Sequence, residues 1–182
     1  ATGIGGMVLL ATETASSSDT ISFTSLIDST YKEYIFKFID IHPETDAQAF
    51  TFNLSIDAGS NYNVTKTTTY FLAYHNESDT STTLGYTTSA DLAQSTGEQY
   101  LFRDIGNDND QSGSGTLHLF NPSSTTFVKH FMGKVQSYKS DDYSHENFIA
   151  GYANTTSAVD AIRFKFASGD IDAGTIKMYG AL

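Results

Sequence analysis

Residues 161–182 read AIRFKFASGDIDAGTIKMYGAL and contain two runs in which apolar and polar side chains alternate. Phe164 and Phe166 share a face in the first run, and Ile176 and Met178 share a face in the second. The SGDIDAG segment between them supplies the Gly and Asp residues that turns favour. The pattern predicts a β-hairpin. Because its last strand carries core residues, we expect that strand to be built into a sheet.

The same period of two recurs further towards the N-terminus, most clearly in QAFTFNLSID, residues 48–57. Such alternation is typical of a strand with one buried face. It places Phe50, Phe52, Leu54 and Ile56 inward and Thr51, Asn53 and Ser55 outward.

The segment YIFKFIDI, residues 34–41, is apolar on both faces. A strand of this kind is usually central and covered on both sides. One cover would be a second sheet and the other a neighbouring subunit. The two predicted faces are Tyr34, Phe36 and Phe38 on one side and Ile35, Ile39 and Ile41 on the other.

The chain has 182 residues, which suits one domain with a sizeable core. About ten short aromatic and β-branched segments alternate with turns rich in Ser, Thr, Gly and Asn. We predict an all-β fold, an antiparallel β-sandwich of jelly-roll-like form over residues 7–182, after a flexible lead-in over residues 1–6. The predicted core comprises Phe36, Phe38, Phe50, Phe52, Leu54, Phe164 and Phe166.

Charge and cysteine content exclude several classes of protein. The formal net charge of −11 argues against a nucleic-acid-binding surface, which needs clustered Lys and Arg. With no cysteine, disulfides and thiolate metal sites are ruled out. The longest apolar run, GGMVLLA, is far shorter than the roughly 20 residues of a membrane span. We therefore expect neither nucleic acid nor membrane insertion.

Sequence motifs of known enzymes are lacking. The chain has no G-x-S-x-G, H-E-x-x-H, P-loop or dinucleotide fingerprint, and its five histidines are scattered. We predict a protein that is not an enzyme and needs no cofactor. A glycan hydrolase with paired carboxylates is the competing hypothesis.

The acidic loop DIGNDNDQSG is the best metal candidate. Hard oxygen ligands of the kind that calcium accepts come from Asp104, Asp108, Asn109 and Asp110. The loop lacks the spacing of an EF-hand, and the alternative is an ordinary exposed turn.

Tyrosines near turns are candidates for stacking on sugars. These are Tyr62, Tyr86, Tyr143 and Tyr152. The alternative is that each is half-buried at the edge of the sandwich.

The N-terminal apolar run lacks the alternation that would define a solvent face. It consists of Met7, Val8, Leu9 and Leu10. Leaving such a run in water costs about 25 cal/mol per Å² of apolar area. We expect an attachment or exchange segment outside the autonomous core, buried against another chain or as a first strand.

Three segments, residues 29–77, 114–131 and 162–180, resemble a family of tailed-bacteriophage structural proteins of the marine and cyanophage-like kind. The most specific element is SGDIDAGTIKMYG, residues 168–180, which is close to the family pattern S-G-x-I-x-x-G-T-[IF]-x-[LM]-Y-G. The resemblance covers nearly the whole chain from about Gly6.

This resemblance implies a virion component, either a fibre or knob domain or a head-decoration protein. It implies a homo-oligomer, typically a trimer, in contact with other virion proteins, and it carries over no catalytic residues. A receptor-binding or carbohydrate-binding module that recognises a host-surface glycan is the alternative function.

Overall fold

The computed structural model describes residues 6–181, which form one antiparallel sheet of twelve strands and no helix. The predicted all-β antiparallel class is confirmed. Of the predicted lead-in, residues 1–5 lie outside the described part of the chain. The strands are β1 (Val8–Thr14), β2 (Ile21–Phe23), β3 (Glu33–Pro43), β4 (Gln48–Ser55), β5 (Lys66–Asn76), β6 (Thr82–Tyr86), β7 (Gln99–Ile105), β8 (Gly113–Phe120), β9 (Lys129–Lys139), β10 (Tyr143–Ala153), β11 (Ala161–Phe166) and β12 (Ile171–Ala181).

The sheet divides into two sections that are joined by a bridge between Ile105 of β7 and Lys139 of β9. We call them the large section, β1-β12-β3-β8-β9-β10-β5-β6, and the small section, β7-β4-β11-β2. Aromatic rings from the two sections meet: the ring centroids of Phe38 on β3 and Phe164 on β11 are 5.2 Å apart. The sections therefore face each other across a shared core.

The core is the one that the alternating pattern predicted. Each predicted core residue is at most 2% exposed. Phe164 lies at the centre, with its ring near those of Phe23, Phe36, Phe38 and Phe50. Packing of this kind combines a large buried apolar area with favourable edge-to-face ring geometry.

The predicted C-terminal hairpin is wrong, although its strands are right. Strand β11 pairs with β4 and β2, whereas β12 pairs with β3 and β1. The SGDIDAG segment is therefore a crossover from the small section to the large one. Ile176 and Met178 are fully buried, so the last strand carries core residues as expected.

One predicted face of β3 is also wrong, because the strand contains an irregularity. Ile41 is fully buried, whereas Ile39 on the same predicted face is exposed. The register with β8 shifts between Phe38 and Ile41, and Asp40 has a positive φ of 52°. An extra residue in a strand transfers the following side chains to the opposite face.

Strand β4 is buried on both faces rather than one. Thr51, Asn53 and Ser55 are as fully buried as the phenylalanines between them, whereas Ile56 lies beyond the strand and is exposed. Thr51 donates a hydrogen bond to the carbonyl of Lys165, and the side-chain amide of Asn53 donates one to the carbonyl of Thr96. These polar side chains are satisfied inside the protein, as burial requires.

Candidate assembly surface

The outer face of the large section carries a cluster of exposed apolar side chains. They lie on β5, β9 and β10, whose inward residues pack on the core while the alternate residues face outward, and on β6, which contains no buried residue. Cross-strand pairing brings them together: Phe148 lies opposite Phe71, and Phe71 lies opposite Tyr86. We call this cluster the apolar patch; it comprises the exposed Phe71, Leu84, Tyr86 and Met132 and the half-buried Phe148.

Most of the patch is exposed to solvent, and two of its aromatic rings stack on each other. Leu84 is 76% exposed, Met132 57% and Phe71 41%. The rings of Phe71 and Phe148 are nearly parallel, with centroids 4.7 Å apart. Single exposed apolar residues are ordinary, but a contiguous group on one face marks an interaction site.

Charged groups border the patch in two places: the Lys134–Glu146 pair lies at one, and at the other the Asp91 carboxylate accepts a hydrogen bond of 2.6 Å from the Tyr86 hydroxyl. The Lys134 ammonium lies 5.5 Å from the centroid of the Phe148 ring and 2.9 Å from the Glu146 carboxylate. A cation over a ring face and an ion pair at the border leave the centre apolar. This arrangement of apolar centre and polar rim is common in protein interfaces.

A groove of about 470 Å³ runs beside the patch. Tyr152, one of the sugar-stacking candidates, lines it together with Phe120, His130 and Met132. The rings of His130 and Tyr152 approach edge-on, with centroids 6.4 Å apart. The groove extends the apolar surface towards β8, and the small side chain of Ala150 lies within it.

The structure does not bring the four candidate tyrosines together. Tyr86 belongs to the apolar patch and Tyr152 to the groove. The ring of Tyr62 lies 4.5 Å from the Arg163 guanidinium, and its hydroxyl is buried. Tyr143 lies in a separate, charged cleft. They therefore do not form one sugar platform.

The charged cleft has a volume of about 240 Å³. Tyr143 meets Tyr74 edge-on, with centroids 5.2 Å apart, and His145 lies buried at the cleft. Burial lowers the pKa of His145 below its usual range. Its Nδ1 has no hydrogen-bond partner in the described part of the chain. The charged residues lining the cleft are Arg103, Asp104, Lys139 and Asp141.

The calcium candidates do not converge. Asp104 lies in the charged cleft, whereas Asn109 and Asp110 line a different pocket beside His42. Asp108 is part of a tight turn, in which its N–H donates to the side-chain oxygen of Gln111. Within residues 6–181, no group of three or more His, Asp or Glu side chains is placed to hold a metal ion.

The N-terminal apolar run forms the start of the edge strand β1. Val8 pairs with Gly180 of β12, and Leu10 packs against the core. Residues 8–10 thus begin a first strand, which is one of the stated alternatives, and of the four residues only Leu10 packs against the core. Met7, Val8 and Leu9 are exposed.

The sequence interpretation missed Phe71, Met132 and Phe148. A signal was present in TYFLAY, where Tyr70 and Leu72 are inward and Phe71 is therefore outward. Strand β5, like β3, has apolar side chains on both of its faces. In β9, buried and exposed residues alternate, and Met132 lies on the outward face between the buried Phe131 and Gly133.

No family model matches this chain, and no curated protein matches it. Across residues 6–181 there is no helix with the length and apolarity needed to cross a membrane.

Proposed function

We propose that this chain is a non-enzymatic structural protein exposed on the virion of a tailed phage, as a fibre, knob or capsid-decoration component, and that it assembles as a trimer. The observation that carries the proposal is the apolar patch on the outer face of the large section. The resemblance to tailed-phage structural proteins supports the virion role, and the apolar patch supports self-association. Neither nucleic acid nor membrane is proposed as a partner.

Self-association is favoured by the chemistry of the patch. Covering its large side chains gains about 25 cal/mol per Å² of apolar area removed from water. The chain as a whole carries a charge of −11, so copies repel each other over most of their surface. Within the patch the five side chains carry no formal charge, and the charged groups at its border are the Lys134–Glu146 pair and Asp91.

We also propose that the sheet is a jelly-roll-like sandwich. Three antiparallel pairs are nested in the chain: β3 with β12, β4 with β11, and β5 with β10. They alternate between the large, small and large sections. A long hairpin wound in this way generates the jelly roll.

Strand β1 is the proposed contact with other virion proteins. It lies at an edge of the sheet, it exposes Val8 and Leu9, and the exposed Met7 directly precedes it. An edge strand presents backbone groups that another chain can pair with.

Self-association is tested by light scattering coupled to size-exclusion chromatography at micromolar concentration. The wild-type protein is expected to elute with three times the protomer mass. The double variant Leu84→Ser, Met132→Lys should be monomeric but still folded, with the wild-type circular-dichroism spectrum, because both side chains are exposed on the protomer. Ile56→Ser removes an exposed apolar group of the small section and should leave the trimer intact. A monomeric wild-type protein would contradict the proposal.

The virion assignment has its own test. Mass spectrometry of gradient-purified particles of the phage that encodes the chain should find it among the structural proteins. Its absence from particles, with the protein present in the infected cell, would count against a virion role.

Glycan binding is the second candidate, and the charged cleft favours it. Tyr74 and Tyr143 offer aromatic surface, and Arg103 and Lys139 offer donors for sugar oxygens. A buried His145 with a free ring nitrogen adds a further polar contact. Sites of this composition, aromatic with a few convergent polar groups, are typical of small ligands.

An NMR titration of the ¹⁵N-labelled protein with glucose and with glucuronate tests the cleft. We expect amide shifts confined to β7, β9 and β10, and at least tenfold weaker binding in Tyr143→Ala. The matched control is Tyr86→Ala, which removes an exposed tyrosine outside the cleft and should bind normally. If neither sugar moves these amides at millimolar concentration, the glycan hypothesis fails.

A further inference from the structure

Lys66 is fully buried, and its ammonium nitrogen lies against the side chain of Asn53. The Lys66 Nζ donates a hydrogen bond of 2.6 Å to Asn53 Oδ1 and one of 2.8 Å to the carbonyl oxygen of Val64. Asn53 is itself buried, on the inner strand β4. Both reacting groups of a possible amide bond are therefore in contact and shielded from water.

A carboxylate belongs to the same cluster. The backbone of Lys66 pairs with Ser95, and the Asn53 amide donates to the carbonyl of Thr96, so the segment that leads to Glu98 begins beside the pair. Glu98 Oε1 accepts a hydrogen bond of 2.6 Å from Arg163, which lies opposite Asn53 in the β4–β11 register.

The second oxygen of this carboxylate, Glu98 Oε2, is buried and has no hydrogen-bond partner among residues 6–181. A buried polar atom left without a partner is uncommon and calls for an explanation. A role in proton transfer would provide one.

Desolvation lowers the pKa of Lys66 to about 8, although the negative charge of Glu98 acts in the opposite direction. The nucleophilic form of a lysine is the neutral amine. Burial therefore makes this form accessible near neutral pH, where an exposed lysine stays protonated.

We propose that Lys66 and Asn53 join in an intramolecular isopeptide bond, formed by the folded chain itself, with Glu98 transferring the proton. This inference does not depend on the proposed virion role. Ordinary structural hydrogen bonding between the two side chains is the outcome that the test must distinguish.

The reaction balances without any oxidant or co-reactant. The neutral Nζ of Lys66 attacks Cγ of Asn53, and a carbon–nitrogen bond forms. Glu98 takes a proton from Nζ and delivers it to Nδ2 of Asn53. The bond between Cγ and Nδ2 then breaks, and ammonia leaves.

The developing negative charge on Asn53 Oδ1 already has a donor. The N–H of Leu54 donates a hydrogen bond of 2.9 Å to that oxygen. A fixed donor at the position where charge develops lowers the barrier of acyl transfer. Burial also excludes the water that would otherwise hydrolyse the amide.

Such a bond would tie β4 of the small section to β5 of the large section. A cross-link that closes a loop stabilises mainly by restricting the unfolded chain. The chain has no cysteine, so a disulfide cannot serve this purpose.

The intact mass of the purified full-length protein is the primary test. We expect it to fall below the mass of the sequence by one ammonia. Trypsin should fail to cleave after Lys66, because its amine is acylated. Endoproteinase Asp-N cuts before Asp57, between the two residues, and the two pieces should stay joined.

A succinimide at Asn53 would lose the same mass, but its Asp-N pieces would separate, and that result would overturn the proposal. A full sequence mass in the wild-type protein would also overturn it. Lys66→Arg keeps a positive charge but lacks the amine, and it should show the full mass of its own sequence.

The role of Glu98 is tested by Glu98→Gln, in which we expect at least a tenfold smaller linked fraction. The matched control is Arg163→Met, which removes the ion-pair partner of Glu98 but keeps the carboxylate, and it should still link. If Glu98→Gln links as fully as wild type, or both variants fail equally, Glu98 does not transfer the proton.

Discussion

Phe164→Ala is expected to lower the free energy of unfolding by about 3–5 kcal/mol, the range for truncating a buried phenylalanine. The side chain is fully buried, and its ring centroid lies 5.2 Å from that of Phe38 and 5.4 Å from that of Phe36. These rings belong to the large section, whereas Phe164 belongs to the small one. The cavity would therefore open where the two sections meet and could not collapse easily.

Equilibrium unfolding in urea measures this loss. The matched control is Phe127→Ala, because Phe127 is 69% exposed in the loop before β9. We expect the control to stay within about 0.5 kcal/mol of wild type. A loss below about 1.5 kcal/mol for Phe164→Ala would mean that the core closes around the missing ring, contrary to the packing described.

Gly115→Ala is expected to destabilise the protein by about 1–3 kcal/mol, although it adds one methyl group. A Cβ at this position of β8 would lie 2.5 Å from the Lys134 carbonyl oxygen and 2.6 Å from the Cα of Val135. Both atoms are backbone of β9, so no side-chain rotation relieves the contact. Strands β8 and β9 would have to separate locally.

Thermal unfolding followed by circular dichroism checks this prediction. Gly85→Ala is the matched control, since a Cβ there would meet only the Thr83 methyl group at 3.7 Å. Alanine also costs less backbone entropy than glycine, so the control should be no less stable than wild type. Equal midpoints for the two variants would show that β9 accommodates the methyl group.

The assembly surface could be predicted only in part. The sequence drew attention to Met7, Val8, Leu9 and Leu10, and this run does lie at a sheet edge. It did not indicate the apolar patch, because Phe71, Met132 and Phe148 are far apart in the chain. Strand pairing brings them together, and pairing partners are not encoded in the period of a single strand.

The Lys66–Asn53 contact could not be predicted at all. Alternation placed Asn53 outward, on the assumption that the second face of β4 meets solvent. That face is covered by the connection between β6 and β7, which has a weak pattern of its own. Burial of a polar face depends on which segment folds over it, and this is a property of the whole chain.

The sequence by itself determined that the protein is all-β and which phenylalanines form its core. Side-chain alternation is a local consequence of strand geometry, so Phe50, Phe52, Phe164 and Phe166 could be assigned without knowing any partner. Only the tertiary structure decided that β11 and β12 lie in different sections, that the irregularity at Asp40 turns Ile41 inward, and that Lys66 meets Asn53. Each of these depends on contacts between residues distant in sequence, and their free energies are fixed only when the whole sheet has formed.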